Sequence, residues 1–452
     1  MEVDALSSNV DLVTQSILLA ASNHDQKALK DLLRDGSANV QDQETGFTPL
    51  HAAIAACERD EPETDTSTGT NPVNGNSGQR ETKASENEAK ETEEAAAETV
   101  RLLLQNGAIW NDLDQNNETP GCIALRLGLK SLYETMVDAG VRAEMLFSRL
   151  DEYQPLQDAD EEDDVEIAED RAQPNGDSSA QDAGNVATTE PLNEHQHQAV
   201  PSINEPVHNG EDEAAAQIAI DDVSLDNNTY LRSALTFTED RLLDESANAV
   251  MMDWETTIMK RHAEILLPVE GLRALNVGHG MGIVDTAIQS HAPKEHHIIE
   301  AHPQVLAQMR QKGWFDKPGV IIHEGRWQDI VPKLMEQGVM FDGIYYDTFA
   351  EDYKALREFF TEHVIGMLDP AGGNDGQGGR FSWYNGLGAD RQICYDVYTK
   401  VSEMDLFEAG FDTEWEDIPV PSNLSDPSNW KDIRRPYWAL DIYRLPTCTF
   451  IG

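Results

Sequence analysis

The chain has 452 residues, with 83 acidic and 33 basic side chains and a formal net charge of −50 at pH 7. This length allows two or three domains, and such strong acidity argues against direct binding to nucleic acid, because phosphates would be repelled. The sequence begins with no basic segment followed by an apolar core, and it contains no apolar run of membrane-spanning length. We therefore expect a protein of the cytoplasm and nucleus.

Two acidic segments interrupt the apolar patterning. Residues 58–98 hold twelve acidic and four basic side chains, and residues 151–222 hold twenty-one acidic and one basic. Both are poor in aromatic residues, so neither buries enough apolar surface to fold alone. We predict a disordered insertion at about 58–97 and a disordered linker over 151–222. Their charge would either attract cationic partners or keep the chain soluble.

The cysteines and histidines predict no metal site. The four cysteines show no paired spacing and are expected to be reduced thiols. They are Cys57, Cys122, Cys394 and Cys448. His195 and His197 fall in the polar linker, where a metal site is not expected.

The first region, residues 1–150, contains a spaced repeat. Gly36 and Gly107 are 71 residues apart, and a further 33 residues lead to Gly140. A period of 33 residues is that of ankyrin repeats, and removing the acidic insertion brings the longer interval close to it. We expect a small all-α, ankyrin-like domain whose second repeat is split by the insertion.

The TPLH motif at residues 48–51 carries most of the ankyrin resemblance, and a degraded copy occupies residues 119–122. In this motif Thr48 caps a helix, the proline suits its first turn, and His51 ties neighbouring loops together. A structural role for His51 is therefore favoured over a ligand role. Ankyrin stacks usually bind proteins, although this one could instead brace the domain that follows.

The second region, residues 223–452, alternates strand-like and helix-like runs. A helical lead-in is predicted over residues 236–267, followed by seven strand-like runs. Helical segments separate the first five runs, which indicates a parallel sheet covered on both faces. The last two, at 412–420 and 437–445, follow one another and suggest an antiparallel finish. This α/β pattern matches the class I S-adenosylmethionine methyltransferase architecture, which is seven-stranded and Rossmann-like.

The stretch RALNVGHGMG, residues 273–282, predicts a buried strand that ends in a glycine loop. Gly278, Gly280 and Gly282 give the spacing GxGxG, whereas dehydrogenases favour GxGxxG. Glu300 closes the next strand, where an acid is placed to accept hydrogen bonds from ribose hydroxyls. Together these features favour S-adenosylmethionine as the cofactor.

Further candidates lie at the carboxyl ends of later strands, where open α/β sheets bind ligands. Trp327 and Gln328 follow the third strand and could flank and bond an adenine, although the tryptophan could equally pack a helix. Asp347 ends the strand FDGIYYD beside the expected methyl donor. Glu255, upstream of the glycine loop, is a second acid that could hold a cationic substrate.

Five motifs of the second region resemble those of a known family. They are VMMDWETTIM, LNVGHGMGI, HHIIEAHPQVLAQM, EGRWQDIVP and FDGIYYDTF. On these motifs the second region resembles guanidinoacetate N-methyltransferase. The whole chain resembles the fungal (type IV) protein arginine N5-methyltransferases, which carry an ankyrin-like front half and an acidic linker.

The resemblance implies specific site residues. Glu255 and Asp347 match the two acids that hold the guanidino group. The implied contacts of S-adenosylmethionine are Phe237, Met251, Gly278, His279, Gly280, Met281, Gly282, Ile283, Glu300, Ala301, His302, Trp327, Gln328 and Asp347.

Two departures from the pattern matter. Asn276 stands where many class I methyltransferases have an acid, which leaves its role open. The loop at residues 384–388, YNGLG, replaces groups that hold the substrate's carboxylate in the small-molecule enzyme, which suggests a pocket opened for a peptide.

We therefore predict an S-adenosylmethionine-dependent enzyme that monomethylates the δ-nitrogen (N5) of arginine in a target protein. The family resemblance points to a ribosomal protein as target. One alternative is a small-molecule guanidino N-methyltransferase that resembles the guanidinoacetate enzyme. Another is a non-catalytic ankyrin adaptor carrying an inactive methyltransferase fold.

Overall fold

The structure, a computed structural model of the chain, describes residues 2–58, 78–151, 227–373, 376 and 378–452. Apart from Asp151, the predicted linker over 151–222 lies outside these residues, and so do His195 and His197. Within the described ranges, no helix is both long and apolar enough to cross a membrane. All four cysteines are free thiols.

Helices make up the N-terminal region. In chain order they are α1 (Glu2–Ser22), α2 (Gln26–Leu32), α3 (Pro49–Ala55), α4 (Gly78–Gln105), α5 (Pro120–Arg126) and α6 (Lys130–Asp151). Thr48 and Thr119 stand at the N-terminal ends of α3 and α5, and each is followed by proline. The fully buried His51 places Nδ1 2.8 Å from Thr48 Oγ1 and Nε2 3.0 Å from the carbonyl oxygen of Glu118. His51 therefore joins two loops, which is the structural role predicted for it.

Helix α4 differs from the predicted extent of the insertion at about 58–97. It begins at Gly78, so that only residues 59–77 of the insertion lie outside the described residues. The sequence from residue 83 onward is rich in alanine, glutamate and lysine, which favour helix. Its C-terminal half also buries Ala96, Val100 and Leu103 against the neighbouring helices. The low aromatic content of the segment predicts disorder, but packing of this one apolar stripe is enough to hold the C-terminal half of α4 against its neighbours.

The second region alternates strands and helices. Its first elements are α7 (Asn227–Tyr230), β1 (Thr236–Phe237), β2 (Arg241–Leu243), β3 (Ala249–Met252), α8 (Thr256–Leu266), β4 (Arg273–Val277), α9 (Ile283–Ser290), β5 (Glu295–Glu300) and α10 (Pro303–Gln311). They continue with β6 (Val320–Glu324), α11 (Trp327–Glu336), β7 (Gly343–Tyr346), α12 (Tyr353–Glu358), α13 (Ile365–Met367), β8 (Arg380–Trp383), α14 (Gln392–Glu408), β9 (Phe411–Pro419) and β10 (Ile442–Phe450).

A mixed sheet of seven strands organises this region, in the order β6-β5-β4-β7-β8-β10-β9. The first five strands are parallel, and β10 pairs antiparallel with both β8 and β9. Successive side chains of β4 belong to different buried clusters. Ala274 belongs to the cluster that includes residues of α8 and α9, and Leu275 to the cluster that includes residues of α11 and α14. The predicted α/β class and the antiparallel finish are confirmed, with β10 inserted between its neighbours.

Two predicted elements are wrong in part. The first half of the lead-in over 236–267 forms the antiparallel sheet β1-β2-β3, and helix begins only at Thr256. The Asp244 carboxylate accepts hydrogen bonds from the backbone N–H groups of Ser246 and Asn248, which closes a tight turn between β2 and β3. The last strand begins at Ile442, five residues later than predicted, because residues 437–441 form a loop in which Trp438 is fully buried and its indole N–H bonds the carbonyl oxygen of Leu440.

The helical region docks on α14 of the second region. Tyr133 on α6 donates a 2.5 Å hydrogen bond to Asp396, and Arg149 pairs with Glu408 at 2.9 Å. A Cβ on Gly140 would lie 2.7 Å from Val397, so the two helices approach too closely for a larger residue. The two regions are therefore packed against each other through α6 and α14.

Candidate active site

A cavity opens at the carboxyl ends of β4, β5 and β7. Its lining includes Val250, Met251, Val277, Gly278, Gly280, Ile299, Glu300, Ala301, Gly325, Trp327, Gln328, Asp347, Thr348 and Glu351. Parallel strands bring these loops to one edge of the sheet, which is where such folds bind ligands. Most of the predicted cofactor residues thus meet in one place.

The glycine loop needs its glycines for backbone shape and for space. Gly278, Gly280 and Gly282 have φ of +97°, +53° and +81°, in the left-handed region that other residues rarely adopt. A Cβ on Gly278 would overlap the carbonyl oxygen of Asp347, and one on Gly280 would lie 2.8 Å from Met251 Cε. The loop is therefore pressed between the end of β7 and the Met251 side chain.

Glu300 links the glycine loop to the next helix. Its Oε2 accepts a 2.9 Å hydrogen bond from the backbone N–H of His279, and its Oε1 accepts a 2.6 Å bond from that of His302. A carboxylate oxygen has capacity for further donors, and this side chain lines the cavity. Its position fits the predicted role toward ribose hydroxyls.

Asn276 supports the glycine loop through hydrogen bonds inside the fold. Its Nδ2 donates to the carbonyl oxygen of Gly278 at 2.7 Å and to Asp285 Oδ1 at 2.8 Å. Asp285 also lies 2.6 Å from His279 Nδ1 and 2.9 Å from His296 Nε2. Burial alone would raise the pKa of Asp285, but His279 and then His296 hold it below its usual range. An acid nine positions after Asn276 thus supports the loop, and no spacing pattern in the sequence points to it.

Trp327 and Gln328 meet an acid that sequence reasoning missed. Trp327 Nε1 and Gln328 Nε2 each donate a 3.0 Å hydrogen bond to Glu351, and the hydroxyl of Tyr346 donates another at 2.6 Å. Among the described residues, Gln328 Oε1 is buried with no hydrogen-bond partner. An acceptor of this kind beside the cavity suits an amino group such as that of adenine.

The remaining predicted cofactor residues do not all face this cavity. Phe237, Met281, Gly282 and Ile283 line a separate groove, with Met251 between the two. Met251 Sδ lies 3.3 Å from the backbone nitrogen of Met281. His279 and His302 are buried, and their rings bond to Asp285 and to the carbonyl oxygen of Tyr230. Neither histidine is among the residues that line the cavity; their backbone N–H groups bond the Glu300 carboxylate, which does line it.

Glu255 and Asp347 form a pair of poorly solvated acids. Glu255 is 3% exposed, and among the described residues Asp347 Oδ2 has no hydrogen-bond partner. Burial and then the nearby Asp347 charge raise the pKa of Glu255 to about 8. Burial and then Asp285 raise the pKa of Asp347 to about 7. Two such carboxyls favour a cation that would neutralise both.

Tyrosines surround Glu255. The hydroxyl of Tyr437 donates a short hydrogen bond to Glu255 Oε1, and that of Tyr384 lies 3.5 Å from the same oxygen. Tyr437 comes from the loop before β10, far from the other site residues in sequence. The prediction of a strand over 437–445 provides no reason to expect Tyr437 beside Glu255.

The loop at 384–388 is tied to the sheet. Asn385 is buried, and its Nδ2 donates to the hydroxyl of Tyr395 at 3.2 Å and to the carbonyl oxygen of Arg444 at 3.1 Å. The loop contains no lysine or arginine. It therefore offers no side-chain cation for a substrate's carboxylate.

Comparisons with known proteins show what this chain is similar to. The family model described as guanidinoacetate N-methyltransferase matches residues 230–429. A protein of Aspergillus fumigatus named protein arginine N-methyltransferase 2 is 55% identical over 451 residues, covering 98% of each chain. A protein of the same name from Emericella nidulans is 54% identical over 448 residues, again covering 98% of each chain. A solved O-methyltransferase, TomG from Streptomyces achromogenes in complex with SAM, gives a TM-score of 0.31 at 15% identity, covering 43% of this chain and 80% of its own.

Proposed function

This chain belongs to the fungal family named protein arginine N-methyltransferase 2, and we propose that it transfers one methyl group to the δ-nitrogen (N5) of an arginine in a protein. It is an S-adenosylmethionine-dependent methyltransferase, as its sequence predicts. The observation that carries the N5 proposal is the buried acid pair, Glu255 and Asp347, beside the glycine loop.

The cavity residues fit S-adenosylmethionine. The backbone at Gly278 and Gly280 leaves room for the amino-acid end, the Glu300 carboxylate can accept from ribose hydroxyls, and Gln328 Oε1 can accept from the adenine amino group. When bound, this cofactor supplies an electrophilic methyl group on a positively charged sulfur. Asp347 lines this cavity, and its charge acts on Glu255.

The acid pair suits a guanidinium group. Arginine stays protonated in water with a pKa above about 12, and its planar N–H groups bond carboxylates in pairs. Glu255 and Asp347 would each accept from one terminal nitrogen of the guanidinium. The chain-bearing N5 is then the nitrogen left free to face the methyl donor.

The same carboxylates can accept the proton that the guanidinium releases when it is methylated. Methylation at N5 needs a lone pair on that nitrogen, so the guanidinium must release one N–H proton as the new N–C bond forms. A carboxylate whose pKa lies at about 7 or about 8 accepts this proton more readily than an ordinary one. The product remains a guanidinium, and the proton passes from the carboxyl group to solvent.

The experiment is methylation of cell-extract protein with labelled S-adenosylmethionine, followed by fragmentation mass spectrometry of the modified arginine. We expect monomethylation at N5 with the wild type. Asp347→Asn and Glu255→Gln should each lose about 100-fold or more of the activity while keeping the fold. Methyl groups found on a terminal nitrogen would overturn the N5 proposal. The matched control is Asp316→Asn, an exposed acid outside the cavity, which should retain activity.

A small-molecule guanidino methyltransferase is the second candidate, and the family model that matches residues 230–429 favours it. The loop at 384–388 counts against this candidate, because it has no lysine or arginine to bind the carboxylate of a substrate such as guanidinoacetate. Methylation of guanidinoacetate, with none in cell protein, would select this candidate. Failure to bind S-adenosylmethionine would instead leave an ankyrin adaptor with an inactive fold.

We also propose that the helical region is an ankyrin-like stack that contacts protein, and that the target is a basic ribosomal protein met in the cytoplasm and nucleus. The net charge of −50 supports a basic partner, because opposite charges attract over long range. Two observations would test this: the identity of the methylated protein, and the location of a fluorescent fusion.

A further inference from the structure

The loop between β9 and β10 reaches the substrate side of the site. Two short turns, Ser422–Ser425 and Pro427–Trp430, begin it, and residues 431–441 complete it. The backbone N–H of Arg434 donates to the carbonyl oxygen of Ala247 at 2.9 Å, and that of Ala439 donates to Ala389 at 2.8 Å. The loop is thus fastened on both sides of Tyr437. Residues 431–441 lie beyond the region that the family model matches.

A directed chain of hydrogen bonds runs from this loop to the acid pair. The indole N–H of Trp254 donates to the hydroxyl oxygen of Tyr437 at 2.9 Å. An indole nitrogen only donates, and a phenol carries one proton. The proton of Tyr437 is therefore committed to Glu255 Oε1, its second neighbour. When Glu255 is ionised, the order Trp254, Tyr437, Glu255 is therefore set by the chemistry of the three groups.

Packing holds the Tyr437 ring in this orientation. Its centroid lies 5.1 Å from Trp430 in an edge contact and 6.0 Å from Trp254. The other hydroxyl near Glu255, that of Tyr384, is 3.5 Å from the oxygen, at the limit of hydrogen bonding. Tyr437 is thus the stronger donor to this acid.

We propose that Tyr437 is the positioning residue of the substrate pocket, which fixes the Glu255 carboxylate so that its second oxygen faces the arginine guanidinium. This inference rests on the proposed function. Holding one oxygen fixes the plane of the carboxylate, which a paired acceptor for a planar guanidinium requires. Hydrogen bonding to the ionised form also favours that form against burial and the Asp347 charge. Tyr437 therefore lowers the pKa of Glu255 against the opposing effects of burial and Asp347, which makes it easier for Glu255 to ionise when a cation binds.

The test uses Tyr437→Phe in the full chain and two readouts. The first is calorimetric binding of ethylguanidinium in the presence of S-adenosylhomocysteine, at pH 7 and pH 9. We expect binding about tenfold weaker at pH 7, with part of the loss recovered at pH 9. The second is the pH profile of kcat/KM for protein methylation, whose acidic limb should move to higher pH. Affinity for S-adenosylhomocysteine should stay unchanged.

Tyr395→Phe is the matched control, because it removes a buried hydroxyl that bonds Asn385 and Arg444 and does not touch Glu255. It should keep the wild-type pH profile. Trp254→Phe provides a second variant if Tyr437→Phe fails to fold, and its profile should move in the same direction. Equal profiles for Tyr437→Phe and Tyr395→Phe would overturn the proposal. Ethylguanidinium binding is read without turnover, so the positioning role is judged even if the wild type places no methyl group on N5.

Discussion

Gly278 shows how tightly single residues constrain the cofactor cavity. Its backbone has φ of +97°, and an added Cβ would overlap the Asp347 carbonyl oxygen. We expect Gly278→Ala to displace the end of β7 and to weaken S-adenosylmethionine binding at least about tenfold, because the backbone can no longer approach the ligand. Isothermal titration calorimetry would measure this loss.

Gly410→Ala separates backbone strain from the overlap. Gly410 has φ of +94°, and a Cβ there would meet no atom of the described residues within 4 Å. This variant should lose about 1 kcal/mol of folding stability and keep its cofactor affinity. Similar affinity losses in both variants would contradict the cavity argument, since strain alone would then account for the effect.

The acid pair makes stability depend on pH. The folded pKa of Asp347 is about 7, whereas an unfolded aspartate titrates near about 3.9. Between these values the folded state holds a proton that the unfolded state has lost, so the contribution of Asp347 to stability falls as pH rises. Asp347→Asn does not ionise. Its stability relative to the wild type should therefore rise by about 2 kcal/mol between pH 5 and pH 8.

Urea unfolding of both proteins across this pH range would measure the difference. Asp316→Asn, which replaces an exposed acid, should follow the wild type throughout. Parallel curves for Asp347→Asn and the wild type would show that Asp347 titrates normally in the folded protein.

Sequence reasoning found the residues that carry a pattern. Gly278 and Glu300 follow strands at a recognisable spacing, and Asp347 ends a strand, so the sheet edge brings them together. It missed Asp285 and Glu351, because a lone acid carries no pattern of its own. Their roles come from partners that only the folded chain places beside them.

At the scale of elements, local turn chemistry overrode a helical pattern. Residues 236–252 show apolar spacing compatible with helix, yet the Asp244 turn folds them into β1-β2-β3. The strand predicted over 437–445 was shifted for a related reason. Trp438 is fully buried, with its Nε1 bonded to the carbonyl oxygen of Leu440, which holds this stretch in a loop. Alternating apolar residues do not distinguish such a loop from a strand.

The contact between α6 and α14 yields the prediction at this scale. The hydroxyl of Tyr133 donates to Asp396, which also pairs with Arg444 at 2.7 Å. Tyr133→Phe leaves this half-buried carboxylate with one donor fewer, so we expect docking to weaken by about 1 to 2 kcal/mol. Hydrogen exchange should become faster along α14.

Thr135→Ala, on the same helix, is the control for this prediction. Among the described residues, the hydrogen-bond partner of the Thr135 hydroxyl is the Ser131 carbonyl oxygen within α6, so its removal should leave exchange in α14 unchanged. Unchanged exchange after Tyr133→Phe would instead mean that apolar packing, such as that of Gly140 against Val397, holds the two regions together.

For the whole molecule, the sequence predicted the α/β class of the second region. The seven-stranded sheet and its antiparallel finish are confirmed. It did not show how the helical region is seated. Helix α14 buries residues on more than one face, since it packs on both the sheet and α6, and such a helix has no simple amphipathic stripe to read.

The position of β10 sets the order in which the molecule can be built. Strand β9 precedes β10 in the chain, yet β10 lies between β8 and β9 in the sheet. During synthesis β9 therefore emerges without a place in the sheet, and it must wait for β10 to pair. Tyr437 arrives in the same late stretch. The contact of Tyr437 with Glu255 therefore forms only near the completion of the chain, so the pocket around Glu255 is among the last parts of the molecule to be assembled.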